Sequence, residues 1–146
     1  MAIEAMGDDA YEAALRALHH RDRTELEIEE QLRARGFSDD DRSRALETLR
    51  RTGLVDDERF ARSRASSLSE RGAGNTLIRA RLAEAGVASD LVDGALDAVE
   101  EEVARARRIV ERRGASPKTA RYLYGKGFSD EAIRTVIAED DSGELG

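Results

Sequence analysis

The sequence predicts an all-α protein made of three tandem three-helix repeats stacked into an elongated, curved rod. Three observations predict it. A phrase recurs, "GFSDD" from Gly36 and "GFSDE" from Gly127, with a third copy around Gly86 in "LAEAGVASD". Apolar positions hold register around these glycines without a gap: Leu18, Leu68 and Ile109 upstream, then Leu32, Leu82 and Leu123, then Phe37, Val87 and Phe128, then Ala45, Ala95 and Val136. Finally, 40% of residues are hydrophobic and 38% charged, so each helix must carry an apolar and a charged face.

The repeated phrase has its own local physics. A helix that ends on a left-handed residue favours glycine, which has no Cβ to clash, and an apolar residue after it folds back onto the last turn. Leu32 with Phe37, Leu82 with Val87, and Leu123 with Phe128 have the spacing of that contact. Ser38 and Ser129 then stand where a side-chain oxygen caps the next helix, and Asp39 to Asp41, or Asp130 and Glu131, complement its dipole. The phrase therefore reads as stop, turn and start. It does not read as a calcium loop, because Asp39, Asp40 and Asp41 lack the alternating spacing of one.

The middle helix of each repeat has a marked start. Thr24 and Glu27 have capping-box spacing, Asn75 stands at a comparable place, and Ser116 precedes Pro117, a cap followed by proline at the first helical position. The expected spans are 9–20, 24–35 and 39–52, then 57–71, 75–85 and 89–99, then 100–113, 117–126 and 130–139. These give repeats at 9–52, 53–99 and 100–139, with an acidic flexible tail at 140–146. The first joint contains "TGLVDDERF", in which Gly53 ends a helix and Asp56 caps the next. Gly, Pro and Asn are absent between Gly94 and Gly114, so the second joint is expected to be one continuous helix, supported by Glu101 with Arg105 and Arg107 with Glu111.

A repeat of about 40 residues encloses little core alone, so stacked repeats must bury faces against each other, leaving an extended surface for a macromolecule. The chain of 146 residues has no cysteine, which excludes disulfides and thiolate metal sites. It shows no basic segment leading into an apolar run near Met1 and no stretch of about 20 apolar residues, so a cytoplasmic location without membrane contact is expected.

Catalytic chemistry finds little support. His19 and His20 are adjacent and point about 100° apart on a helix, which suits no shared metal ion. No nucleophile elbow is present, and "GAGNT" from Gly72 lacks both a preceding strand and the lysine of a phosphate loop; a turn between two helices is the better reading. No enzyme, cofactor or metal is expected.

Charge is distributed unevenly. Residues 1–58 carry 9 basic and 16 acidic side chains, residues 59–126 carry 14 and 9, and residues 127–146 carry 1 and 6, so the basic middle stands out in a chain of net charge -7. Arginine pairs bidentately with carboxylate or phosphate, so this middle suits an acidic protein face or a nucleic-acid backbone. The candidate partner-binding residues are Arg62, Arg64, Arg71, Arg79, Arg81, Arg121 and Lys126. Tyr122 and Tyr124, expected to be exposed, give only thin support for base stacking.

The stretches "GLVDDERFA" from Gly53, "RGAGNTLIRARLAEAGV" from Arg71 and "RYLYGKGFSDEAIRTVI" from Arg121 resemble the RecX family, the bacterial regulators of RecA recombinase, over residues 11 to 139. The resemblance implies tandem three-helix units. It also implies a monomeric, largely inhibitory rod in the groove of the RecA filament on single-stranded DNA, suppressing ATPase, strand exchange and filament growth. The basic middle would then face RecA, DNA phosphate or both. Of the candidate residues, only Arg71, Arg79, Arg81, Arg121 and Lys126 fall in these stretches, and charge and placement alone single out the set. A direct DNA-binding protein, using one unit as a helix-turn-helix reader, is the alternative.

Overall fold

The computed structural model describes the backbone of residues 2–145 and the side chains of residues 9–140. Among the described residues it consists of nine α-helices and no strand: α1 (Ala2–His20), α2 (Glu25–Ala34), α3 (Asp39–Arg51), α4 (Asp57–Glu70), α5 (Asn75–Glu84), α6 (Ser89–Asp97), α7 (Glu102–Arg113), α8 (Pro117–Gly125) and α9 (Asp130–Leu145). No helix among them is long and apolar enough to cross a membrane.

Most of the expected caps form. Thr24 and Glu27 make the capping box of α2, Ser38 accepts from the Asp41 N–H, Asp56 from that of Arg59, and Ser116 from that of Thr119. At the repeated glycines, the N–H of Phe37, Val87 and Phe128 each reaches back to the carbonyl of Leu32, Leu82 and Leu123, at 3.2, 3.0 and 3.0 Å. Gly36, Gly86 and Gly127 all have φ near +90°, at 88, 89 and 89°, which accounts for glycine in every copy.

Each unit keeps a separate apolar cluster, and its first and third helices pack together most extensively. In the first unit Ala10, Ala13, Ala14 and Ala17 form a small-residue stripe that lets α1 approach Leu49 of α3 closely. Leu32, Leu82 and Leu123, at one register position, are at most 1% exposed. Burying such a side chain contributes roughly 2 kcal/mol.

Four expectations need correction. Asn75 does not cap α5: Gly74 holds that position without a side-chain bond, and the carboxylate of Glu102 takes the Asn75 N–H at 2.6 Å. The second joint is not a continuous helix, because α6 ends at Asp97 and the extended Glu101 precedes α7. The break lets Glu102 and Arg105 turn inward, a tertiary demand that outweighs helix propensity. The two expected pairs of that helix are also replaced. Arg105 is buried, and Arg107 forms a two-pronged bridge to Glu139 at 3.0 Å on both prongs. Lastly, α9 continues to Leu145, past the expected end at 139 and into the acidic tail. Gly146 and the side chains of residues 141–145 lie outside the described residues.

The units meet through the ends of their middle helices. The N-terminus of α2 sits on the C-terminal turn of α5, where Thr24 Oγ1 donates to the Ala85 carbonyl at 2.5 Å and Leu26 covers Gly86. The N-terminus of α5 sits likewise on α8, where the N–H groups of Gly74 and Thr76 donate to the carbonyls of Lys126 and Gly127, both at 2.9 Å, and Leu77 covers Gly127. Thus α2, α5 and α8 form a column of helix ends, positive pole against negative pole, along the rod.

Candidate partner-binding surface

The first joint builds a groove between units one and two. Arg21, in the turn after α1, and Glu27 of α2 supply one wall; Phe60, Arg64, Leu68 and Arg71 of α4 and its end supply the other, with Arg81 and Glu84 of α5 continuing it. Spacing explains the second wall: Phe60, Arg64 and Arg71 are four and seven residues apart, so they share a helix face. The Arg64 guanidinium lies 5.2 Å from the centre of the Phe60 ring, which fixes the charge against an otherwise buried aromatic.

Charge in this groove is only partly neutralised internally. Arg21 bridges to Glu27 at 3.2 Å and Arg81 approaches Glu84 at 3.8 Å. Arg64 and Arg71 have no carboxylate within ion-pair distance among the described residues. Asp22 lines the same hollow without pairing with either of them, so two exposed guanidinium groups are left for an external carboxylate or phosphate to satisfy.

The other candidate residues fall elsewhere. Arg62 pairs with Glu58 at 3.3 Å on the flank of α4 that faces unit three, where Glu100 and Arg108 lie across a second hollow. Arg79 binds Asp93 within unit two at 2.8 Å, and its surroundings include Glu101 and Glu131. Arg121 lies on the exposed face of α8. Lys126 is half-buried at the second joint, where its carbonyl rather than its ammonium makes the contact. The structure therefore brings Arg64, Arg71 and Arg81 together and separates Arg62, Arg79, Arg121 and Lys126 from them. Arg21 joins the cluster from the acidic first unit, where a count of charge along the chain does not reveal it.

Two side chains that hold the scaffold were also missed. Arg105 donates from Nε to the Glu100 carbonyl at 2.8 Å, from one terminal nitrogen to the Ala73 carbonyl at 2.5 Å, and from the other to Asn75 Oδ1. Burial lowers its pKa from the ordinary guanidinium value, while Glu102 opposes that shift. Glu102 itself takes the Ser129 hydroxyl at 2.6 Å, so one carboxylate ties α5, α7 and the start of α9 together. Their signal was phase: Glu102, Arg105, Ala106, Ile109 and Val110 form one buried helical stripe. At the first joint, Asp57 accepts the Glu25 N–H at 2.9 Å; burial raises its pKa above the usual carboxylate value.

Comparison with known proteins agrees with this architecture. Residues 10–49 match the first three-helix domain of RecX, and residues 56–96 match the second. The chain is 34% identical to the regulatory protein RecX of Halorhodospira halophila, over 99% of this chain and 96% of that one. It is 35% identical to the regulatory protein RecX of Mycolicibacterium vanbaalenii, over 94% and 85%. The crystal structure of RecX from Lactobacillus salivarius superposes with a TM-score of 0.81 at 24% identity, over 94% of this chain and 98% of that chain, and it shares the fold. Two matched domains in order and relatives of nearly full length place the chain in the RecX family of regulatory proteins.

Proposed function

We propose that the chain is a modulator, mainly an inhibitor, of RecA recombinase. As a monomeric, non-enzymatic cytoplasmic rod it lies in the groove of the RecA filament on single-stranded DNA and spans neighbouring protomers. The observation that carries this reading is the pair of guanidinium groups without an ion-pair partner among the described residues, Arg64 on α4 and Arg71 just past its end, in the groove between two units. A ligand that touches two protomers through separate units senses their spacing. It shifts the filament only by its difference in affinity between filament states, favouring one in which ATP turnover, strand exchange and growth are suppressed.

Titrating the host RecA's single-strand-dependent ATPase with the protein, well below one copy per RecA protomer, tests this. Inhibition at that ratio is expected, since one rod acts on more than one protomer. Unchanged turnover at saturating protein removes RecA as the partner.

A further inference from the structure

The longest run of the chain free of acidic residues is not in the groove just described. From Arg112 to Ser129 there is no Asp or Glu, while Arg112, Arg113, Lys118, Arg121 and Lys126 carry positive charge. The run also holds Tyr122 and Tyr124, two of the chain's three tyrosines. In a chain of net charge -7, this segment has the opposite sign to its surroundings.

Helical geometry spreads Lys118, Arg121, Tyr122 and Tyr124 over the solvent side of α8, with the two tyrosines at its opposite edges, about 160° apart. Thr119 and Leu123 are the buried side of α8, which leaves Lys118, Arg121, Tyr122, Tyr124 and Gly125 on a continuous exposed arc. Tyr124 is 70% exposed, and Tyr122 presents one face to the Arg113 guanidinium, 3.7 Å from the ring centre. Gly125 lies between the two rings. Its φ is not positive and a Cβ there would meet nothing within 4 Å, so neither backbone nor packing calls for a glycine that lowers helix stability. Its effect is a low point between two aromatic rings and two cations. Arg113, Lys118 and Arg121 have no carboxylate within ion-pair distance among the described residues.

We infer that this face of α8 is a binding site for single-stranded nucleic acid, with Tyr124 and the Tyr122–Arg113 stack receiving unpaired bases and Lys118 and Arg121 receiving the phosphates. Flat rings interleaved with cations are the arrangement that binds single strands without regard to sequence. An acidic protein would use the cations and gain little from a mostly exposed tyrosine. A duplex hides the flat faces of its bases, which leaves the two exposed rings without a stacking partner. The inference does not depend on RecA or on the groove of Arg64 and Arg71, so its test omits RecA.

The chain has no tryptophan, and its remaining tyrosine, Tyr11, packs in the core of unit one. Two of the three emitters therefore stand on α8, and a ligand bound there changes their emission while leaving that of Tyr11 in unit one as a constant background. Titration with oligothymidylate is expected to quench the α8 emission. Tyr124→Ala should weaken binding about tenfold, and Tyr124→Phe should retain it. Lys118→Ala and Arg121→Ala should each reduce the slope of log affinity against log salt by about 0.7. Thermal melting of each variant checks that the fold is intact. Failure to bind oligothymidylate would overturn the inference, as would unchanged affinity in Tyr124→Ala, or equally tight binding of a DNA hairpin or polyglutamate.

Discussion

The Gly74 N–H donates to the Lys126 carbonyl at 2.9 Å, joining units two and three through the main chain itself. A Cβ at residue 74 would run into the backbone N and Cα of Phe128. At the matching point of the first joint, Thr24 has a side chain and uses its hydroxyl to reach Ala85. At this contact one joint is closed by backbone against backbone, and the other by a side chain that can be removed.

Gly74→Ala is expected to cost about 2 kcal/mol or more, because the clash separates two backbone hydrogen bonds and buries their groups unsatisfied. Thr24→Ala should cost about 1 kcal/mol, as loss of a helix cap. Denaturant unfolding measures both. Amide exchange should quicken at Thr76 in the first variant and at Glu27 in the second. A smaller cost for Gly74→Ala than for Thr24→Ala would contradict the difference between the joints.

Arg105 is a buried cation whose three acceptors come from the joint between units two and three. Arg105→Ala leaves the Ala73 carbonyl and Asn75 Oδ1 without their donor, and a loss of about 2–3 kcal/mol is expected by chemical denaturation. Arg105→Lys should fall between the parent and Arg105→Ala, since lysine keeps the charge but not the planar fork.

Asp57 gives the fold a pH dependence of definite sign. Its pKa is raised in the folded chain, chiefly by burial, so the folded state binds a proton more readily than the unfolded state. This group's penalty is present above the raised value and is relieved as pH falls through it towards the ordinary carboxylate range. Asp57→Asn keeps an oxygen for the Glu25 N–H and removes the charge. The melting temperature of the variant relative to the parent should therefore be higher at about pH 7 than at about pH 4. A difference that is flat or reversed between those conditions would show that burial of Asp57 does not penalise the charge.

Local chemistry made much of the fold legible. Gly36, Gly86 and Gly127, with the apolar residue after each, state both the helix ends and the period, and Thr24, Ser38, Asp56 and Ser116 cap where their spacing says they should. Tertiary demands escaped the sequence. Nothing between Gly94 and Gly114 announces a break, which exists because Arg105 and Glu102 turn inward to serve Ala73, Asn75 and Ser129. The candidate surface was legible only as charge. Composition groups Arg62 with Arg64, yet two residues along a helix they face different units. Arg21 reaches the groove through the joint, which a linear count cannot see.

The most direct test of the proposed role compares charge reversals that share a net change but differ in setting. R64E/R71E removes the groove cations that have no ion-pair partner among the described residues, whereas R62E/R79E alters two arginines outside the groove that already face Glu58 and Asp93. In the RecA single-strand-dependent ATPase assay, with circular dichroism confirming the fold, the midpoint of inhibition should rise about tenfold or more for R64E/R71E. It should rise by less than about threefold for R62E/R79E. Equal midpoints for the two variants, or full inhibition by R64E/R71E, would contradict the assignment of this groove as the surface that meets the filament.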